Sequence, residues 1–144
     1  MTASRSGGCD LTGAWDAHLT FVEGPRRGET ESVELRFLRP NLILHADRVR
    51  LSSGQLPRGI GEWAIDDDQL SYWFHVVLTG PDGAPEKVVW VRARGQLAPD
   101  GRTFTALGTS GVYQSGSLIA THQVEVRAVR GGEQIDDRST SRSS

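Results

Sequence analysis

The sequence predicts an all-β protein, built as a single antiparallel up-and-down β-barrel of about eight strands. Short segments in the middle of the chain alternate apolar and polar residues with a period of two, which is typical of strands with one buried face. Clusters of Gly, Pro, Asp and Ser separate these segments and form turns. Apart from short turns at the two ends, no stretch has the periodicity of an amphipathic helix. A two-sheet sandwich of the same strands is the alternative fold.

The first predicted hairpin has the cleanest alternation in the chain. Its outgoing strand runs from Trp15 to Phe21, and residues 23–28, which include a proline and two glycines, form the turn. The return strand runs from Val33 to Phe37 and ends before Pro40, because proline has no backbone hydrogen to donate to a sheet. The remaining predicted strands cover residues 42–46, 61–65, 70–79, 88–97, 103–110 and 119–129.

Length and composition define the domain organisation. A chain of 144 residues fits one domain, and a domain near this size buries roughly 68–70 % of the surface that its unfolded chain exposes. Residues 11–130 contain all the predicted strands and form the barrel domain. Residues 1–10 and 131–144 are polar and without periodicity, so we predict a flexible N-terminal arm and a disordered C-terminal tail.

The composition argues against several classes of partner. The net charge is −2, and the 16 Lys and Arg residues are dispersed among 18 Asp and Glu, so nucleic-acid binding is not predicted. No apolar stretch approaches the roughly 18 residues of a membrane helix, so no membrane association is predicted. The four histidines lack the spacing of a metal site, and neither a metal nor another cofactor is predicted. Cys9, the single cysteine, offers no disulfide framework, which favours a cytoplasmic location.

A short motif at the start of the first strand resembles a known family. Gly13-Ala14-Trp15, after Leu11-Thr12, is similar to the Gly-x-Trp opening of the lipocalins and the wider calycin barrels. The resemblance implies that Trp15 closes one end of a lipocalin-like barrel. It also implies that an arginine of the last strand, Arg127 or Arg130, packs across the indole ring with a cation–π contribution.

A second motif, Gly61-Glu62-Trp63, looks like a repeat seen in small lipocalin-like proteins of high-G+C bacteria. The resemblance covers about residues 11–130. The family's Thr-Asp-Tyr element, its secretory signal and its disulfide are absent here, which argues against a secreted transport lipocalin. The overall plan also resembles the allene-oxide-cyclase-type barrels, which include bacterial cyclases of linear biosynthetic intermediates.

The candidate site residues are aromatic or polar side chains on the predicted inner face. His122 shares a face of the last strand with Val124 and Val126, where an imidazole can donate or transfer a proton. Tyr72 is on the apolar face of the strand over 70–79. We assign Tyr72 and His122 as candidate catalytic residues. The candidate ligand-binding residues are Trp15, Phe37, Trp63, Phe74 and Tyr113. The alternative is structural, with a core histidine bonded to a neighbouring strand and rings that fill the barrel.

Two functions remain open from the sequence. In the first, the barrel folds a small, largely apolar metabolite into a reactive conformer and promotes its cyclisation or isomerisation without a cofactor, in bacterial secondary-metabolite (polyketide-like) biosynthesis. Tyr72 or His122 then hydrogen-bonds a carbonyl as charge shifts. In the second, the same pocket binds or carries a hydrophobic molecule without turnover. The chain has no nucleophile elbow, so the sequence gives no support to hydrolytic covalent catalysis.

Two neighbouring strands are apolar on both faces. In residues 70–79, Tyr72 and Phe74 alternate with Trp73 and His75, and the strand over 88–97 shows the same lack of a polar face near Trp90. One face lies inside the barrel and the other must be covered from outside. We therefore predict a homodimer through the outer face near Trp73 and Trp90.

Overall fold

A computed structural model of the chain describes residues 10–48 and 57–131. They form one closed antiparallel barrel in which each strand pairs with its sequence neighbours and the last pairs with the first. The strands are β1 (Gly13–Glu23), β2 (Thr30–Leu38), β3 (Leu42–Asp47), β4 (Arg58–Asp66), β5 (Gln69–Thr79), β6 (Pro85–Leu97), β7 (Thr103–Gln114) and β8 (Ser117–Arg130). The predicted up-and-down barrel is confirmed, and because β1 pairs with both β2 and β8 the sheet has no break for a sandwich.

The last two strands are longer than the sequence predicts. β7 and β8 extend to a two-residue hairpin turn in which Ser115 has φ of 53° and Gly116 has φ of 80°. Positive φ at both central residues is the geometry of a type I′ turn, which matches the twist of the flanking strands. The Ser-Gly pair is the sequence signal for this turn. The prediction stopped short because residues 111–118 lack a regular apolar alternation.

Large rings fill one end of the barrel. Trp15 from β1, Phe37 from β2 and Phe104 from β7 are all nearly inaccessible to solvent. The ring centroids of Trp15 and Phe104 lie 5.0 Å apart, and those of Phe37 and Phe104 lie 6.1 Å apart. These three aromatic side chains define the closed end, which needs no further occupant.

Arg130 covers this closed end from outside. Its guanidinium carbon lies 4.4 Å from the centroid of the Trp15 ring. Nη1 donates to the carbonyl of Thr12 at 2.8 Å, and Nε donates to the carbonyl of Gly101 at 2.9 Å. Of the two arginines that the resemblance left open, Arg130 makes the contact, whereas Arg127 is exposed on the outer face of β8.

The predicted terminal segments fall mainly outside the described residues. Residues 1–9 and 132–144 are not described, so the N-terminal arm and the C-terminal tail stay predictions. Within residues 10–48 and 57–131, no helix has the length and apolar character needed to cross a membrane.

Candidate functional site

The half of the barrel opposite Arg130 contains a cavity of about 310 Å³. Apolar side chains from β1, β2, β6 and β8 form much of its wall, among them Leu19, Val33, Val89 and Val124. Its mouth lies where β1 turns into β2 and where β3 ends. A pocket of this size is at the small end of the range for small-molecule sites, and predominantly apolar walls with a few polar groups are typical of them.

Three of the predicted site residues line this cavity, and all three are buried. Tyr72 and Phe74 come from the inner face of β5, and His122 comes from β8. Burial raises the pKa of the Tyr72 hydroxyl well above its usual value, so the group stays protonated and can donate a hydrogen bond.

The other predicted ligand-binding residues lie elsewhere. Trp15 and Phe37 belong to the closed end and pack against other rings. Trp63 lies at the edge of that end, where its Nε1 donates to the carbonyl of Leu38 at 3.0 Å and its ring meets Phe37 edge-on. Tyr113 is 37 % exposed, because it directly follows the cavity-lining Val112 and adjacent strand residues point to opposite faces.

His122 forms a cross-strand pair with Ser110 of β7. The two residues are directly opposite each other in the β7–β8 register, and His122 Nδ1 lies 3.3 Å from the Ser110 hydroxyl oxygen. The ring of Phe21 meets the imidazole edge-on at 5.4 Å. Burial, with the nearby charge of Arg26, lowers the pKa of His122, which favours the neutral imidazole at physiological pH. The arrangement fits both a satisfied core histidine and a hydrogen-bonding group in the cavity wall.

A second histidine pair lines the cavity, and the sequence analysis missed it. His45 and Asp47 occupy successive inward positions of β3, and His45 Nε2 lies 2.6 Å from Asp47 Oδ1. His45 is 7 % exposed, and its ring lies 4.5 Å from that of Phe74. Its Nδ1 is buried and has no hydrogen-bond partner among the described residues. The missed signal is the period of two over Ile43, His45 and Asp47, because the predicted strand over residues 42–46 ended one residue before Asp47.

The electrostatics of this pair follow from burial. Burial lowers the pKa of His45 to about 4 and raises the pKa of Asp47 to about 6, with the charge of Glu31 adding to the second effect. At neutral pH His45 is therefore neutral and donates its Nε2 hydrogen to an ionised Asp47. The pair then has one negative charge.

Further charged side chains surround the mouth. Arg26, in the turn between β1 and β2, pairs with Glu29 at 2.7 Å and with Glu31 at 2.8 Å. Its guanidinium carbon also lies 4.2 Å from the centroid of the Phe21 ring. Lys87, at the start of β6, lines the cavity from another side. Within the described ranges, no three His, Cys, Asp or Glu side chains gather in the manner of a metal site.

A scan against protein-family models and searches of the curated proteins and the solved structures gave no match for this chain.

Proposed function

We propose that this barrel binds one small, largely apolar molecule in its cavity. The observation that supports this is the cavity of about 310 Å³, which remains although three large rings already fill the opposite end. A barrel built only for stability would gain from filling that space, since empty volume costs contact energy. Polar groups on an otherwise apolar wall are the features that orient a ligand.

The test is a substitution that fills the cavity, measured with 1-octanol as the probe. Val91→Phe adds a ring to the cavity wall, whereas Val129→Phe makes the same change on the outer face of β8, where Val129 is 39 % exposed. Isothermal titration calorimetry should show saturable binding that Val91→Phe weakens at least tenfold and Val129→Phe leaves unchanged. Equal affinities for the two variants would place binding outside the barrel. Calorimetry is preferable to the quenching of tryptophan fluorescence, because none of the four tryptophans lines the cavity.

A second proposal is that the bound molecule is converted by cyclisation or isomerisation, in the manner of the allene-oxide-cyclase-type barrels. The observation that favours it is that two polar side chains, Tyr72 and His122, line one apolar space. Holding reacting ends together can contribute up to about 7–11 kcal/mol in favourable intramolecular cases. The Tyr72 hydroxyl can donate to a carbonyl whose charge grows along the reaction.

The measurement that separates conversion from passive carriage is mass and isomer analysis of polyene and polyketide-like compounds incubated with the protein. In an enzyme, Tyr72→Phe lowers turnover more than affinity, because the lost hydrogen bond matters most in the transition state. In a carrier, ligands are recovered intact and the substitution changes affinity alone. Recovery of every compound unchanged would contradict the conversion proposal for those classes.

We further propose that two copies of the chain pair through the outer faces of β4, β5 and β6. The rings of Trp73 and Trp90 stack at 5.6 Å on this surface, which forms a groove outside the barrel. Trp90 is 43 % exposed and Ile60 is 49 % exposed. A contiguous apolar surface of this kind is typical of protein–protein interfaces.

The register of these strands makes the surface self-complementary. One cross-strand row reads Glu62, Trp73 and Arg92, and the adjacent row reads Ile60, His75 and Trp90. A two-fold axis along β5 reverses each row on the partner. Glu62 then faces Arg92 and Ile60 faces Trp90, so charges and apolar side chains both match.

Sedimentation equilibrium tests this dimer. The wild-type protein should show concentration-dependent association, and Trp90→Glu should abolish it by placing a carboxylate against the apolar Ile60 of the partner. Leu118→Glu is the control, because Leu118 is a 51 % exposed apolar residue on β8, away from this surface. A monomer at all concentrations would contradict the proposal.

A further inference from the structure

The mouth of the cavity has an excess of fixed negative charge on the side of β2 and β3. Glu31 and Asp47 both line the cavity there. The single positive charge of Arg26 is shared between Glu29 and Glu31, so those three side chains sum to one negative charge. Asp47 receives a hydrogen bond from the neutral His45 and adds a second negative charge. Burial, with the nearby charge of Glu31, raises the pKa of Asp47 to about 6.

These carboxylates are held in place. His45 is buried by its contact with Phe74 and fixes one oxygen of Asp47, and Arg26 fixes one oxygen of Glu31. Both carboxylate side chains are mostly shielded, at 25 % exposed for Asp47 and 30 % for Glu31. Acceptors that are already oriented and partly desolvated lose little freedom when they bind a cation, so they bind it more strongly than free surface carboxylates do.

A second observation points to an occupant in the same space. His45 lines the same cavity and is 7 % exposed, and its buried Nδ1 has no hydrogen-bond partner among the described residues. Because Nε2 donates to Asp47, Nδ1 of the neutral imidazole is an acceptor. Buried polar groups in folded proteins are nearly always satisfied, so an unpartnered acceptor beside the cavity indicates a donor that is supplied from outside the chain.

We propose that the ligand is a small apolar amine, whose ammonium group lies between Asp47 and Glu31 while its apolar part extends into the cavity toward Tyr72. This inference rests on the proposed binding function and names the class of ligand. Lys87 also lines the cavity, but it is partly exposed and its long flexible side chain can keep its ammonium group in water. The fixed carboxylates therefore decide the preferred ligand charge.

The experiment compares three probes that share one eight-carbon chain: 1-octylamine, 1-octanol and octanoate. Isothermal titration calorimetry at pH 7.5 keeps the amine protonated and Asp47 ionised. We expect the amine to bind about tenfold more tightly than the alcohol, since a hydrogen bond to a charged group contributes on the order of a tenfold factor in affinity. Octanoate should bind most weakly.

Two substitutions link this preference to the mouth. Asp47→Asn keeps the shape and an acceptor for His45 but removes the charge, so the ratio of amine to alcohol affinity should fall toward one while the alcohol affinity stays unchanged. Glu31→Gln should lower the ratio to a smaller extent, and it serves as the second test if Asp47→Asn does not fold. Glu125→Gln removes an exposed carboxylate on the outer face of β8 and should leave the ratio as in the wild type.

The outcomes separate this inference from the function on which it rests. If the alcohol or octanoate binds as tightly as the amine, or if the amine preference survives both mouth substitutions, the ligand class is wrong although the barrel binds apolar molecules. If none of the three probes binds, the proposed binding function fails together with the inference.

Discussion

At the scale of single residues, His45 and Asp47 show how burial redistributes a proton without changing the number bound. In the unfolded chain at pH 5, a histidine with a pKa of 6.5 holds a proton and an aspartate with a pKa of 3.8 does not. In the folded barrel, the pKa of His45 is about 4 and that of Asp47 is about 6, so the proton resides on the carboxyl group. Both states bind one proton, and the pair adds almost no pH dependence to stability between pH 4 and 6.

Asp47→Asn should expose the pH dependence that this balance conceals. With asparagine in place, the unfolded state alone binds a proton at His45 between pH 4 and 6.5, so stability is lost as pH falls through that window. The free energy of unfolding should drop by about 3 kcal/mol relative to the wild type between pH 6.5 and pH 4. Urea unfolding of both proteins at several pH values measures the difference between their free energies of unfolding. The other carboxyl groups are the same in both proteins, so their contributions cancel in this difference. A difference independent of pH would contradict the assigned protonation states.

Arg130 is the second residue whose role can be isolated. Its guanidinium group donates hydrogen bonds to the backbone carbonyls of Thr12 and Gly101 and covers the Trp15 ring. Arg130→Met keeps an apolar chain over the ring but removes every donor, and we expect a loss of about 2 kcal/mol or more in the free energy of unfolding. The free energy of unfolding of Arg130→Lys should lie between those of the wild type and Arg130→Met, because lysine keeps the charge but not the planar guanidinium group. Arg127→Met is the control, because Arg127 is exposed. If Arg130→Met lowers the free energy of unfolding no more than Arg127→Met does, Arg130 does not have this role.

At the scale of strands, the pairing of β4 with β5 depends on a close backbone approach at Gly61. A Cβ atom at this position would lie 1.8 Å from the carbonyl oxygen of Trp73, which no side chain can tolerate without movement of the strands. Gly61→Ala should therefore destabilise the barrel by about 3 kcal/mol or more in thermal or urea unfolding. Gly80→Ala is the control, because its Cβ would meet the flexible ends of Glu86, at 3.3 Å, and Asp82, at 3.6 Å, and no backbone atom as closely. Similar stabilities for both variants would show that β4 and β5 can separate locally at no cost.

The strands also show what the sequence can and cannot reveal. Alternation and turn chemistry were sufficient to predict eight strands and their order, because both are local properties of the chain. The location of the cavity along the barrel axis was not predictable from them. An alternation with a period of two shows that a residue faces the barrel interior, but not whether it lies at the closed end or at the cavity. For this reason Trp15 and Phe37, at the closed end, were predicted to bind ligand together with Phe74, which lines the cavity. His45 was missed because its strand is short and its partner Asp47 is the last residue in it.

At the scale of the whole molecule, the proposed dimer depends on how two identical faces meet. One cross-strand row consists of Glu62, Trp73 and Arg92. If the two-fold axis runs along β5, Glu62 of one copy faces Arg92 of the other. Each dimer then contains the Glu62 to Arg92 contact twice, so a change at either residue acts at two places. The charged residues of the cavity mouth, Glu31 and Asp47, are on β2 and β3, outside both rows, so we expect ligand binding to leave dimerisation unchanged.

A charge swap tests that arrangement more sharply than the loss of an apolar side chain. Glu62→Arg places arginine against Arg92 of the partner, and Arg92→Glu places glutamate against Glu62, so each single change should weaken the dimer by about tenfold through like-charge repulsion at both contacts. The combined Glu62→Arg and Arg92→Glu variant restores opposite charges across the interface and should return the dimerisation constant close to that of the wild type, as measured by sedimentation equilibrium. If the double variant dimerises no more tightly than the single variant with the weaker dimer, the two copies do not meet about an axis along β5, even if the wild-type protein dimerises.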